Sequence, residues 1–213
     1  MKKAYIFDLD GVLCFTDRYH NEAWKTIADK LSLPFNDKVN DRLRGVSRME
    51  SLEIILSLGD KTYSEDEKVK FAEEKNKVYR KLLENMTPSD VSDEVRKTLE
   101  ELHGRGFKLA IGSSSKNTPF ILEKCDLKKY FDAVSDGNNI TRAKPDPEVF
   151  LKAAEFLGLK SEDCYIVEDA EAGIDAGKAG GFVTIGIGYA AGYEKTDIAI
   201  NTFKDLLKTG VLL

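Results

Sequence analysis

The chain reads as an α/β protein: a parallel-sheet core interrupted, soon after its first strand, by a block of helices. Three observations predict this. Short apolar runs recur at 4–8, 107–112, 164–168 and 182–187. Each is too short for a helix and lacks polar alternation, as expected of strands covered on both faces. From Val95 onward these runs alternate with helical periodicities, which calls for parallel strands joined by right-handed crossovers. From about Phe15 to Pro88 the alternation stops and only helical spacing remains.

In chain order, Ala4-Tyr5-Ile6-Phe7-Asp8 is an apolar run that ends in a carboxylate. Helices are expected at Tyr19 to Leu31, Ser47 to Leu58 and Ser64 to Leu83, with Asn36-Asp37 and Ser64-Glu65-Asp66-Glu67 as helix starts. Trp24, Ile27, Ala28 and Leu31 make one apolar stripe; Val69, Ala72, Tyr79 and Leu82 make another. Beyond the block, Val95, Leu99 and Leu102 repeat at helical spacing and stop at Gly104-Arg105-Gly106. Val149, Phe150, Ala153, Ala154 and Leu157 do the same and stop at Gly158. The expected division is a core of 1–14 and 89–213 with an all-helical insert at 15–88.

A chain of 213 residues, 42% of them hydrophobic, buries about 70% of its unfolded surface, enough for a core without staples. One domain, or one domain carrying an insert, is therefore expected. Its 32 basic and 37 acidic residues leave a net charge of −5, which offers no footprint for nucleic acid or an anionic membrane. No apolar run is long enough to span a bilayer. Asp8 and Asp10 fall where a signal peptide would need its apolar region, so no secretion signal is read. Cys14, Cys125 and Cys164 are odd in number and widely spaced, which fits reduced thiols in a cytoplasmic protein.

The chemistry-bearing residues stand at the ends of the expected strands. Asp8-Leu9-Asp10-Gly11 places two carboxylates on the same side of a strand end, where α/β sheets bind ligands. Carboxylates this close repel, so they need a cation or a shared proton, and hard oxygen donors favour Mg²⁺. One could attack phosphorus while the other moves protons. By itself, such a pair is more often a polar turn where a strand leaves a sheet. Glu168-Asp169 closes another strand. Ser113-Ser114-Ser115-Lys116-Asn117 follows a third and precedes a helix, as a phosphate cradle or a simple N-cap would. Lys144 precedes a proline-fixed helix start. Nucleophile, hydroxyl, lysine and acids at consecutive strand ends are not an accident.

In this order the residues resemble the haloacid dehalogenase superfamily along the whole chain. The resemblance implies a Rossmann-like core, an aspartyl-phosphate intermediate and one Mg²⁺ ion. It makes Asp8 the nucleophile and Asp10 the general acid/base, which also lends a carbonyl to the metal. Glu168 and Asp169 would complete the metal site, while Ser113 and Lys144 would hold the transferring phosphoryl group. Thr16, His20 and Trp24, the run Arg44-Gly45-Val46-Ser47-Arg48-Met49-Glu50-Ser51, Lys75-Asn76, and Ser114, Ser115, Lys116 and Asn117 narrow the resemblance to sugar-phosphate mutases of that superfamily.

That branch implies a small sugar phosphate as substrate and β-glucose 1,6-bisphosphate as intermediate and activator. It also implies a helical cap that closes over the site, with Arg48 gripping a second phosphate. A single chain, a monomer, would suffice. A sugar-phosphate phosphatase with the same cap is the alternative, and a non-catalytic sensor would not need Asp8. Thr16 is equally a helix N-cap and Lys75 equally a solvated helix lysine. Trp24 is more often core than a sugar platform. His20, by itself more often packed or solvated, is raised by the resemblance to a hydrogen-bonding partner that senses substrate and helps position Asp10. His103, in a last helical turn, suits the helix dipole. Cys14-Phe15 and Arg44 depart from the branch, as does the absence of Pro-Gly near Asp90–Val95.

Overall fold

The computed structural model describes residues 2–43 and 46–209. Six parallel strands form one sheet in the order β3-β2-β1-β4-β5-β6. They are β1 (Ala4–Phe7), β2 (Lys108–Gly112), β3 (Ala133–Ser135), β4 (Cys164–Glu168), β5 (Val183–Gly186) and β6 (Ile198–Ala199). Strand order reverses between β1 and β4, and the crevice at the carboxyl ends beside such a reversal is where open α/β sheets bind ligands. The four apolar runs of the sequence are β1, β2, β4 and β5. The edge pair-members β3 and β6 are too short to leave an apolar run, and only their ladders with β2 and β5 define them.

Alternation sends successive β1 residues to opposite faces of the sheet. On one face Ala4, Ile6, Ala110, Cys164 and Ile166 pack with Val149, Phe150, Ala153 and Leu157. On the other, the Tyr5 ring lies 5.0 Å from those of Phe107 and Tyr165, and Phe7 lies 5.7 Å from Phe203. Each large side chain buried here contributes about 1.5–3 kcal/mol. The helices of this unit are α5 (Asp93–Gly104), α6 (Thr118–Lys124), α7 (Glu148–Phe156), α8 (Glu171–Ala179) and α9 (Leu206–Thr209).

The chain divides into two compact units, Met1–Phe15 with Thr87–Leu213, and Thr16–Met86. Helices α1 (Asp17–Lys30), α2 (Asp37–Asp41), α3 (Arg48–Leu56) and α4 (Glu65–Leu83) make up the second unit. Trp24, Ile27 and Ala28 of α1 meet Leu52, Ile55 and Leu56 of α3 and Ala72 of α4 in its core. Helix α4 starts with a capping box: Glu67 N–H donates to Ser64 Oγ, and the Glu67 carboxylate takes the Ser64 N–H at 2.9 Å.

The stripe expected on α4 is rotated in the structure. Val69 is exposed and Leu82 half-buried, while the buried face is Ala72, Lys75, Tyr79 and Leu83. A pattern of apolar residues cannot reveal a stripe that contains a buried lysine.

Candidate active site

Asp8 follows β1 directly, and its N–H continues the ladder to the Val167 carbonyl at 2.9 Å. Ser113 follows β2, its N–H donating to Ser135 O at 3.1 Å, and Glu168 is the last residue of β4. All three are buried. Lys144, in the loop before α7, reaches between them: its Nζ is 2.5 Å from Asp8 Oδ1 and 2.5 Å from Glu168 Oε1. The second oxygen of Glu168 accepts from the N–H groups of Asp169 and Ala170 at 3.0 and 3.1 Å, which fixes the carboxylate's orientation.

Electrostatics follow from this packing. Burial pushes the Asp8 carboxyl up to about 7; Lys144 opposes the shift, and Glu168 and Asp10 add to it. Burial also disfavours the Lys144 ammonium, but Asp8 and Glu168 outweigh it and hold the lysine above its ordinary range.

Asp8, Glu168 and Asp169 each present a carboxylate oxygen within 4.8 Å of the others. Two glycines make that gathering possible. A Cβ on Gly11, whose φ is +87°, would stand 2.1 Å from Asp169 Oδ2, and one on Gly173 would stand 1.9 Å from the Glu168 carboxylate. Main chain therefore packs directly on both acids, a closeness only glycine permits. Three convergent carboxylates, two of them buried, fit a hard divalent cation such as Mg²⁺. The Asp10 carboxylate is not one of the three; Asp10 lies in a turn closed by Gly11 N–H to Cys14 O at 2.8 Å.

The 113–117 segment is folded on itself and on its neighbours. Ser115 N–H donates to Ser113 Oγ and Asn117 N–H to Ser115 Oγ, at 3.3 and 3.2 Å. Asn138 Nδ2 holds the Lys116 carbonyl at 3.1 Å, and Lys144 N–H donates to Ser114 Oγ at 3.4 Å. Ser113 and Asn117 are buried, Ser114 and Ser115 half-buried, and the Lys116 side chain is exposed. Asn117 occupies the N-cap position of α6 without a capping side-chain bond.

The inserted unit carries its own polar cluster. Lys75 Nζ is 2.9 Å from His20 Nδ1 and lies over the rings of Trp24 and Tyr79, 4.8 and 4.4 Å from their centroids. An ammonium only donates, so Nδ1 accepts and the neutral ring carries its proton on Nε2. Thr16 stands at the N-cap of α1, but its hydroxyl makes no capping bond and instead accepts from Tyr79 OH at 3.2 Å. Ser47 caps α3 by accepting from Glu50 N–H at 3.2 Å, Ser51 is buried, and Val46 and Arg48 are half-buried. Trp24 belongs to the hydrophobic core of this unit, with the Lys75 cation on its face. Arg44 and Gly45 lie outside the described residues. Tyr79 donates to Thr16, packs at a tilt on His20 with ring centroids 4.1 Å apart, and lies under Lys75. Its only signal in the sequence was a place on an apolar stripe.

Burial, then the Lys75 and Arg48 cations, hold the His20 imidazole well below its usual 6.5. A depressed pKa means that the unfolded chain takes up the proton first. The resulting stability is complete above about pH 6.5 and is lost as pH falls through the folded value. Thermal unfolding of His20→Gln should therefore lie below wild type at pH 7.5, with the gap narrowing steadily towards pH 5. A constant gap would sink this reading.

The parallel sheet, the buried carboxylate–lysine–carboxylate triad and the third acid beside it have the chemistry of an α/β phosphotransferase site. The chain belongs to the haloacid dehalogenase-like hydrolase family, whose match covers residues 2–181. It is 39% identical over 206 residues to the β-phosphoglucomutase of Bacillus subtilis, spanning 96% of this chain and 91% of that one. The structure of β-phosphoglucomutase from Clostridium difficile superposes with a TM-score of 0.92 at 36% identity, covering 99% of this chain and 96% of that chain. A phosphorylated carbohydrates phosphatase of Thermotoga maritima is 33% identical over 86% of this chain and 83% of its own.

Proposed function

We propose that the protein is a β-phosphoglucomutase, interconverting β-D-glucose 1-phosphate and glucose 6-phosphate through an aspartyl-phosphate enzyme and β-glucose 1,6-bisphosphate. The observation that carries this reading is the 39% identity to the Bacillus subtilis mutase, which runs through the helical insert as well as the core. Among the described residues no helix is long and apolar enough to cross a membrane. A cytoplasmic monomer acting on a small sugar phosphate is part of the same proposal.

In the proposed cycle, an Asp8 carboxylate oxygen attacks phosphorus at C1 of the bisphosphate as the bond to the sugar oxygen breaks. Asp10 gives that oxygen its proton, and glucose 6-phosphate leaves. The phosphoryl group then passes from Asp8 to the C6 hydroxyl of β-glucose 1-phosphate, whose proton returns to Asp10. Lys144 balances charge on the phosphoryl oxygens, and Ser113 donates a hydrogen bond to them. Bound Mg²⁺, held by Asp8, Glu168, Asp169 and the Asp10 carbonyl, would neutralise further phosphoryl charge.

Arg48 is the proposed bidentate grip on the second phosphate, supported by Ser115, Lys116 and Asn117. Thr16, His20, Trp24, Lys75, Ser51 and the Arg44–Ser47 stretch are proposed to receive the sugar. The inserted unit is proposed to act as a cap that keeps water from the phosphoenzyme.

The test supplies β-glucose 1-phosphate, Mg²⁺ and a trace of the 1,6-bisphosphate, and follows glucose 6-phosphate and free phosphate together. Glucose 6-phosphate should run far ahead of phosphate, and chelation of Mg²⁺ should stop it. Phosphate alone would identify a phosphatase, the activity named for the Thermotoga relative, and would remove the need for Arg48.

A further inference from the structure

The loop that carries Lys144 is closed by a residue that no motif singles out. Glu148 is the first residue of α7, yet its carboxylate reaches back across the loop. Both its oxygens accept from Thr141 N–H at 3.1 Å, and one also takes Thr141 Oγ1 at 2.9 Å and Arg142 N–H at 2.8 Å. The Lys152 ammonium and the Arg142 guanidinium flank it at 3.5 and 3.7 Å. Asp146 completes the closure: its Oδ1 accepts from Glu148 N–H at 3.0 Å, and its Oδ2 pairs with Arg142 at 3.1 Å. Residues 141–148 thus form a ring whose two ends meet on one carboxylate, with Lys144 inside it.

A favourable helix dipole would explain an acid anywhere in the first turn of α7. It does not explain one whose oxygens are spent on main-chain N–H groups seven and six residues back. Those bonds, the Arg142 N–H foremost, hold the Glu148 carboxyl down to about 2, so it is ionised throughout the neutral range. Meanwhile the lysine tip must meet two oxygens at once, 2.5 Å from each. A flexible four-carbon side chain achieves that only from a fixed backbone, and a misplacement of about 1 Å in catalytic geometry can lower a rate on the order of 100-fold.

We propose that Glu148 is a positioning residue for Lys144, holding the 141–148 loop so that the ammonium stands between Asp8 and Glu168. The inference rests on the reading of that triad as the phosphoryl-transfer machinery.

The test is a cycle of Glu148→Ala, Lys144→Ala and the double variant, with Glu148→Gln as the conservative control. Mutase turnover is measured alongside NMR of protein labelled with ¹⁵N-lysine, the Lys144 ammonium being assigned by its loss in Lys144→Ala. Glu148→Ala should lower kcat about 10–100-fold while KM stays within about threefold. Glu148→Gln, which keeps one of the two acceptor oxygens, should lie between it and wild type. In the Lys144→Ala background the same substitution should change kcat by less than about twofold, because the group it positions is already gone. The Lys144 signal should shift or broaden in Glu148→Ala, with the other lysines unmoved. Equal effects in both backgrounds, or a Lys144 signal identical to wild type, would overturn the proposal. The NMR arm needs no substrate, so failure of the mutase reading alone would leave the lysine signal still responding to Glu148.

Discussion

Asp8→Asn should lower turnover at least about 10⁴-fold, the scale on which removing a catalytic nucleophile acts. Asparagine has nearly the shape of aspartate but no anionic oxygen to attack phosphorus. The phosphorylated form of the protein, followed by intact-mass spectrometry after incubation with the bisphosphate, should disappear with the activity. The fold should survive, because Lys144 keeps its second partner, Glu168, at 2.5 Å. Asp8 is moreover an acid that burial already pushes towards its neutral form, so a neutral amide there is not expected to lower Tm. Residual activity above about 1% of wild type would remove Asp8 from the nucleophile's role.

Lys144→Ala should be costly in a different way, because it strips the ammonium placed between two buried carboxylates. Lys144 is 3% exposed and Glu168 1% exposed, so water cannot replace the lost charge. Breaking a buried ion pair by removing one partner costs about 3–5 kcal/mol. For a chain of this size that is a fall in Tm of roughly 6–20 °C. Excess Mg²⁺ should recover part of the loss, since an ion that binds only the folded acids stabilises by mass action. Thermal unfolding with Mg²⁺ and with chelator measures both effects. A Tm within about 2 °C of wild type in chelator would mean that the triad is not held together by its charges.

These two expectations differ in how far the sequence could have supported them. Asp8 was legible as a nucleophile candidate because the apolar run before it and Gly11 after it are local signals. The stability role of Lys144 was not, because nothing local distinguishes it from a surface lysine. Lys75 shows the same limit: in a helix rich in Lys and Glu the sequence leaves it equally a solvated lysine or a substrate-site residue, whereas it is buried against Trp24, Tyr79 and His20. By sequence Thr16 suits a helix cap and a functional residue equally; in the structure its hydroxyl accepts from Tyr79 OH and makes no capping bond. Locally, Glu148 is one more acid in a first helical turn, and only its bonds to Thr141 and Arg142 show what else it holds.

The sequence by itself determined which segments become β1, β2, β4 and β5, where helices interrupt them, and which residue types arrive at the strand ends. It could do so because periodicity, capping and turn chemistry act over a few neighbouring residues. Tertiary structure alone decided that Lys144 meets Asp8 across 136 positions and Glu168 across 24. It alone placed glycine backbone against Glu168 and Asp169 and turned α4 so that a lysine faces inward. Such contacts depend on the order β3-β2-β1-β4-β5-β6 and on close packing between distant segments, and no local pattern along the chain encodes the distance between two strands.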